Sequence, residues 1–235
     1  MNSLENGYTA LVIGASGGIG SAFVDHLRAD RHCARVIGLH RRSDPPIDIT
    51  DEPSIAAAAA WLRDTAPTVH LALDATGALS LDDRRPEKRL AELDPQIMAR
   101  QFAVNATGPA LLLKHFGPLL PRRQRGIFAT LSARVGSIED NRHGGWMSYR
   151  ASKAALNQIV RTAAIEMRWR QPHAVCVALQ PGTVDTRLSA PWYSGDGSDL
   201  LTPAESTRRL LQVLDDLDTA ASGGLYDHLG ERIPG

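Results

Sequence analysis

Lysine is scarce in this chain. Of its 26 basic residues only Lys88, Lys114 and Lys153 are lysines, so the default surface cation is arginine and each lysine stands out. Cysteine is nearly absent. Cys33 and Cys176 both lie in apolar, strand-like surroundings, which excludes a disulfide framework and reads as two buried free thiols in a reducing compartment. Net charge is missing too, 26 acidic residues balancing the 26 basic ones, so nothing favours an electrostatic nucleic-acid binder. No apolar run approaches the roughly 18 residues of a membrane span. The first seven residues lack the basic and apolar regions of a signal peptide, and a cytoplasmic protein is expected, with no membrane partner. His143 and the other histidines show no metal-ligand spacing, so no metal is expected.

What is present is a hydrophobic content of 43% and a regular alternation of patterns. Short apolar runs at 8–13, 34–40, 69–75, 126–131 and 174–180 read as strands, with a short strand at 45–50 after a turn and another at 224–226. Between them, helical patterns occupy 21–29, 50–63, 95–120, 148–168 and 203–216, and the polar stretch 79–93 reads as a surface loop and helix. Thr50-Asp51-Glu52-Pro53 opens the second helix, with a cap candidate and a proline in the first turn. Gly108 and Pro109 are expected to bend the long one. Strand and helix in strict succession imply a parallel sheet covered on both faces. With no repeat, linker or charge block, the economical reading is one α/β domain over 1–235, a doubly wound parallel sheet. Its binding crevice should lie beyond the carboxyl ends of the strands.

The chemistry centres on Tyr149 and Lys153. The apolar stripe of Leu156, Ile159, Val160 and Ala163 marks their segment as a helix, and residues four apart on a helix are stacked neighbours. An ammonium beside a phenol favours the phenolate, so the expectation is a tyrosine of lowered pKa that passes a proton near neutral pH. A second signal is the glycine turn Gly14, Gly17, Gly18, Gly20 between the first strand and the first helix. Gly14 permits the tight turn, Gly18 a close backbone approach to a diphosphate, and Gly20 close helix packing. The helix N-terminus then favours the anion. The second strand ends in His40-Arg41-Arg42. Arg41 and Arg42 suit the 2′-phosphate of an adenosine, where an acid would suit a 2′-hydroxyl. NADP(H) is therefore chosen over NAD(H).

With these residues in place the chain resembles the short-chain dehydrogenase/reductases over nearly its whole length. Gly14, Gly18 and Gly20 match that family's glycine motif, with Ser16, Gly17 and Ile19 inside it. Asp48-Ile49 matches its adenine-contacting pair. Asp74-Ala75-Thr76-Gly77 stands where the family has N-N-A-G, Asn105 matches the asparagine of the long helix, and Tyr149 and Lys153 match the catalytic pair. Pro181, Gly182, Val184 and Thr186 match P-G-x-V-x-T at the nicotinamide end. The stretches 132–138 and 223–234 look most like the C-factor-like carbonyl reductases. The resemblance implies a Rossmann fold and hydride transfer between NADP(H) and a carbonyl or alcohol. Tyr149 would donate the proton. Lys153 would lower its pKa and hold the nicotinamide ribose, and Asn105 would hold a relay water. Two departures stand out. The family's S-S-x-x-G puts its catalytic serine at Ala133, leaving Ser132, or less readily Ser137, as the substitute. Adjacent residues of a strand face opposite ways, so Ser132 can serve only if the strand bulges or has ended. Asp74, where the family has a donor and acceptor, only accepts when ionised.

Pro191, Trp192 and Tyr193, in a loop where the family's lid lies, could form an apolar wall moved by Gly195 and Gly197. Trp146 could line the same pocket. An apolar or aromatic aldehyde, ketone or quinone is the expected small-molecule partner. The competing reading is a cofactor-binding regulatory or signalling protein with little turnover, which Ala133 favours. The family also suggests a homodimer or homotetramer through the 95–120 and Tyr149 helices.

Overall fold

The structure is a computed structural model, described here for residues 1–82, 84–191 and 199–235. The chain runs β1 (Tyr8–Ile13), α1 (Gly18–Ala29), β2 (Cys33–Leu39), α2 (Glu52–Thr65) and β3 (Leu71–Asp74). Then come α3 (Pro95–Phe102), α4 (Gly108–Phe116), β4 (Gly126–Leu131), α5 (Met147–Arg170) and β5 (Ala174–Gln180). Short strands β6 (Thr183–Val184) and β7 (Leu200–Leu201) precede α6 (Pro203–Asp216), β8 (Leu225–Asp227) and β9 (Arg232–Ile233). The main sheet has the order β2-β1-β3-β4-β5-β8-β9 and is parallel up to β8, with β9 antiparallel at the edge. β6 and β7 form a separate parallel pair.

The sheet divides the core because successive side chains point to opposite faces. On β1, Leu11 and Ile13 pack with α2, α4 and α5 through Ile55, Leu112 and Leu156. Their neighbours Ala10 and Val12 pack with α1 and α6 through Phe23, Leu27 and Leu210. Every residue of β3 and β4 is buried, as expected of central strands covered on both sides.

Three expected elements differ. Residues 45–50 form no strand. Ile47 N–H donates to His40 carbonyl and Asp48 N–H to the Ser54 hydroxyl, so these backbone groups serve a turn and the start of α2. The 95–120 helix is interrupted over Ala103–Thr107 by a turn of π-helix, just before Gly108. Pro109 has no N–H to give the Asn105 carbonyl four residues back, which removes one rung of the α-helical ladder. In 79–93 the only helical piece among the described residues is a 3₁₀ turn at Leu90–Glu92. Among the described residues no helix is long and apolar enough to cross a membrane.

Candidate active site

Two cavities open at the carboxyl ends of the strands, on either side of the glycine turn. One, of about 580 Å³, is lined by Gly14, Ser16, Gly17, Arg41, Asp48, Ile49, Ala75, Thr76 and Gly77. The other, of about 550 Å³, is lined by Ile19, Ser132, Ala133, Tyr149, Pro181, Gly182, Val184 and Thr186. Its remaining walls include Leu79, Arg134, Val135, Trp146 and Leu188.

Gly14 sits at φ 83°, and a methyl there would come within 2.9 Å of the Ala75 carbonyl oxygen. At Gly20 a methyl would fall 2.1 Å from the Gly14 carbonyl oxygen, so the first turn of α1 folds tightly onto the glycine turn itself. Gly18 faces the Thr186 side chain. The N-cap of α1 is Gly17, with no capping side chain and no acid in the first turn. Its N–H groups and positive dipole end are therefore left for an anion. The residues present fit a dinucleotide diphosphate, and Arg41 on the first cavity fits a further phosphate. Arg42 is not on that wall.

Tyr149, Lys153 and Asn105 are all buried, at 8%, 3% and 0% exposure. The Lys153 ammonium lies 5.9 Å from the Tyr149 ring centre and donates to the Leu131 carbonyl at 2.8 Å. A methyl on Gly77 would be 3.3 Å from Lys153 Nζ and 3.4 Å from Asn105 Oδ1, so the three converge. The Asn105 carboxamide is hydrogen-bonded to protein at both its oxygen and its nitrogen. Its Oδ1 accepts from Ala78 N–H, and its Nδ2 donates among Ala78 carbonyl, Gln101 Oε1 and Ser152 Oγ. Gln101 is itself 3% exposed and donates to the Leu79 carbonyl. Sequence reading passed over Gln101, although a glutamine one helical turn before Asn105 in an apolar helix was a visible signal.

Electrostatics here are set by burial. It pushes the Tyr149 phenol up to about 12, where a lowered value was expected. Burial also brings Lys153 down to about 8, against the opposing pull of Asp74. The same dry environment that holds the pair together disfavours both charged forms. Asp74 is likewise pushed up by burial, opposed by hydrogen bonds from Thr76 and Thr130 and by Lys153.

Ser132 follows the end of β4 and lies on the Tyr149 cavity. Its hydroxyl, however, donates to Asn157 Oδ1 at 2.7 Å, which commits it to α5. Ser137 caps a turn, accepting from Asp140 N–H and donating to the Gly235 carbonyl, and is not on this cavity wall. Trp146 packs edge-on against Tyr149 at 6.5 Å and 74°. Pro191 is described and exposed, whereas Trp192, Tyr193, Gly195 and Gly197 lie outside the described residues. Among the described residues no cluster of His, Cys, Asp or Glu could hold a metal.

A doubly wound sheet with a glycine turn, an uncapped helix N-terminus and a buried Tyr–Lys pair over the strand ends defines a Rossmann-type nucleotide-binding protein. A family model described as enoyl-(acyl carrier protein) reductase matches residues 15–214. The chain belongs to this family, that of the short-chain dehydrogenase/reductases. It is similar to the C-signal of Myxococcus xanthus, 37% identical over 150 residues that cover 62% of this chain and 82% of that one. It is 29% identical over 185 residues to 1-hydroxy-2-glutathionyl-2-methyl-3-butene dehydrogenase of Rhodococcus sp. (strain AD45), covering 79% and 76%. In structure it is similar to the NADPH-bound carbonyl reductase from chicken fatty liver, with a TM-score of 0.85 at 24% identity over 99% and 96% of the two chains.

Proposed function

We propose that this protein is an NADP(H)-dependent carbonyl reductase in which Tyr149 is the acid. The observation that carries the reading is the placement of Tyr149 on the wall of a cavity that also holds Ile19 of the glycine turn and the 181–186 segment. The NADPH-bound neighbour and the dehydrogenase relative support the cofactor and the reaction type. Bound NADPH would supply the hydride to the carbonyl carbon. With its pKa raised by burial, Tyr149 keeps its proton at neutral pH and is loaded as a donor toward the carbonyl oxygen. The Lys153 ammonium would steady the phenolate left behind and hold ribose hydroxyls. Asn105 would hold the relay water that links Lys153 to solvent. Ser132, in this arrangement, steadies α5 through Asn157, and Ala133 offers the carbonyl no hydrogen bond. The walls given by Leu79, Val135, Trp146 and Leu188 suit an apolar or aromatic aldehyde, ketone or quinone.

The test is NADPH oxidation against a panel of such carbonyls, with Tyr149→Phe as the control. The variant should bind NADPH as the wild type does and lose turnover by about 10²–10⁴-fold. Undiminished turnover in Tyr149→Phe removes the acid role. Tight NADPH binding with no turnover of any carbonyl by the wild type would instead favour a regulatory protein.

A further inference from the structure

The helix that carries Tyr149 does not cap itself. α2, α3 and α6 each begin on a side chain of their own, Asp51, Asp94 and Thr202, that accepts a first-turn N–H. α5 begins at Trp146, which offers no capping side chain and sits in the left-handed region at φ 51°, ψ 43°. Gly144 and Gly145 before it are left-handed as well, at φ 61° and 66°. Glycine adopts that conformation freely, but a tryptophan stays there only where its surroundings hold it.

Glu87 holds it, and its side chain reaches Ser148 across 61 residues of sequence. Its main-chain carbonyl accepts the Trp146 N–H at 2.6 Å. Its carboxylate Oε1 accepts the Ser148 N–H at 2.6 Å and also the Ser148 hydroxyl. One residue thus supplies both the turn contact and the missing cap. A carboxylate suits the place, because the first-turn N–H groups are otherwise unsatisfied and the dipole end there is positive. Arg150 fastens the opposite side, donating to the Gly144, Gly145 and Val135 carbonyls. Trp146 and Tyr149, on either side of Ser148, pack on each other and share the 550 Å³ cavity. The segment that carries Glu87 reaches the same cavity through Leu79.

We propose that Glu87 is a positioning residue of the active site. It sets the first turn of α5 and so fixes both the Tyr149 phenol and the Trp146 wall. The kinetic consequence rests on the reading of Tyr149 as the acid; the structural consequence does not. Truncating the carboxylate frees the Ser148 N–H and hydroxyl, while the main-chain bond from Trp146 to Glu87 remains. The phenol then loses its aim while the glycine turn is untouched. Trp146, packed on Tyr149, shifts with the freed turn, so discrimination between bulky aromatic and small aliphatic aldehydes narrows.

The experiment compares Glu87→Ala with Glu87→Gln, whose amide oxygen still accepts from Ser148. Steady-state reduction of 4-nitrobenzaldehyde and of propanal is measured with NADPH affinity by fluorescence. Hydrogen exchange is followed over residues 146–150. In Glu87→Ala, kcat for 4-nitrobenzaldehyde should fall about 10–100-fold, the scale of a reacting group misplaced by about 1 Å. NADPH affinity should stay within about two-fold, exchange at 146–150 should rise, and the preference for the aromatic aldehyde should shrink. Glu87→Gln should restore kcat to within about three-fold, along with the slow exchange. Wild-type kcat in Glu87→Ala, or unchanged exchange at 146–150, overturns the proposal. If the wild type reduces neither aldehyde, the carbonyl reductase reading is what fails, and the exchange comparison still decides the role of Glu87. Should Glu87→Ala not fold, Glu87→Met, which keeps the bulk of the side chain without an oxygen to accept the Ser148 N–H, takes its place. Wild-type kinetics together with wild-type exchange in Glu87→Met then overturn the proposal.

Discussion

Replacing Lys153 by methionine isolates the cost of holding an ammonium in the dry site. Methionine keeps the length and flexibility of the stem without the charge. Burial brings Lys153 to about 8 in the folded protein, against 10.5 for an exposed lysine. That gap corresponds to about 3 kcal/mol. Below pH 8 both the folded and the unfolded chain carry the proton, and the folded state bears the full penalty. Between 8 and 10.5 the folded state gives up the proton while the unfolded state keeps it, so stability rises with pH. In the variant this rise is missing. Loss of the Lys153 hydrogen bond leaves the Leu131 carbonyl without that donor, a cost of about 1–3 kcal/mol that does not depend on pH. Other groups that titrate in the window include Cys176, raised by burial to about 12, and they act alike in both proteins. Urea unfolding of wild type and Lys153→Met at pH 7 and pH 10 therefore reads the lysine together with its coupling to Asp74. The wild type should gain about 2.5 kcal/mol on the variant between the two. A difference that stays constant within about 0.5 kcal/mol refutes the claim that burial governs this site.

Two further outcomes follow from the same geometry. Burial raises the Asp74 pKa, so the ionised carboxylate costs stability above the ordinary aspartate range and the cost vanishes once acid protonates it in both states. Asp74→Asn should be more stable than wild type at pH 7, with the advantage shrinking as pH falls toward 4; an advantage that grows toward pH 4 contradicts it. Gly20→Ala would place a methyl 2.1 Å from the Gly14 carbonyl oxygen. A destabilisation of about 1–3 kcal/mol or more is expected, with weakened NADPH binding, and a thermal melt at the wild-type temperature would show that the turn has room.

The hydrophobic pattern located most of the sheet and helices, because burial on one or two faces leaves a periodic trace along the chain. At 45–50 it misled: Ile47 and Ile49 alternate as in a strand, but the neighbouring backbone groups are used by a turn and by the start of α2. The short partners β6, β7 and β9 left no trace, since two residues carry no period. Ser132 shows the same limit at the site. Its place beside Ala133 was plain, but its bond to Asn157, 25 residues away, was not.

Local sequence sets the alternation of elements, the glycine turn and the i, i+4 stacking of Tyr149 with Lys153, because these depend on residues close in the chain. It did not determine the protonation of that pair. A stacked ammonium favours the phenolate, but enclosure by the sheet and neighbouring helices removes the water that would solvate either charge, and desolvation prevails. Nor did it reveal Glu87, whose capping of α5 exists only because the fold brings residues 61 positions apart within hydrogen-bond reach.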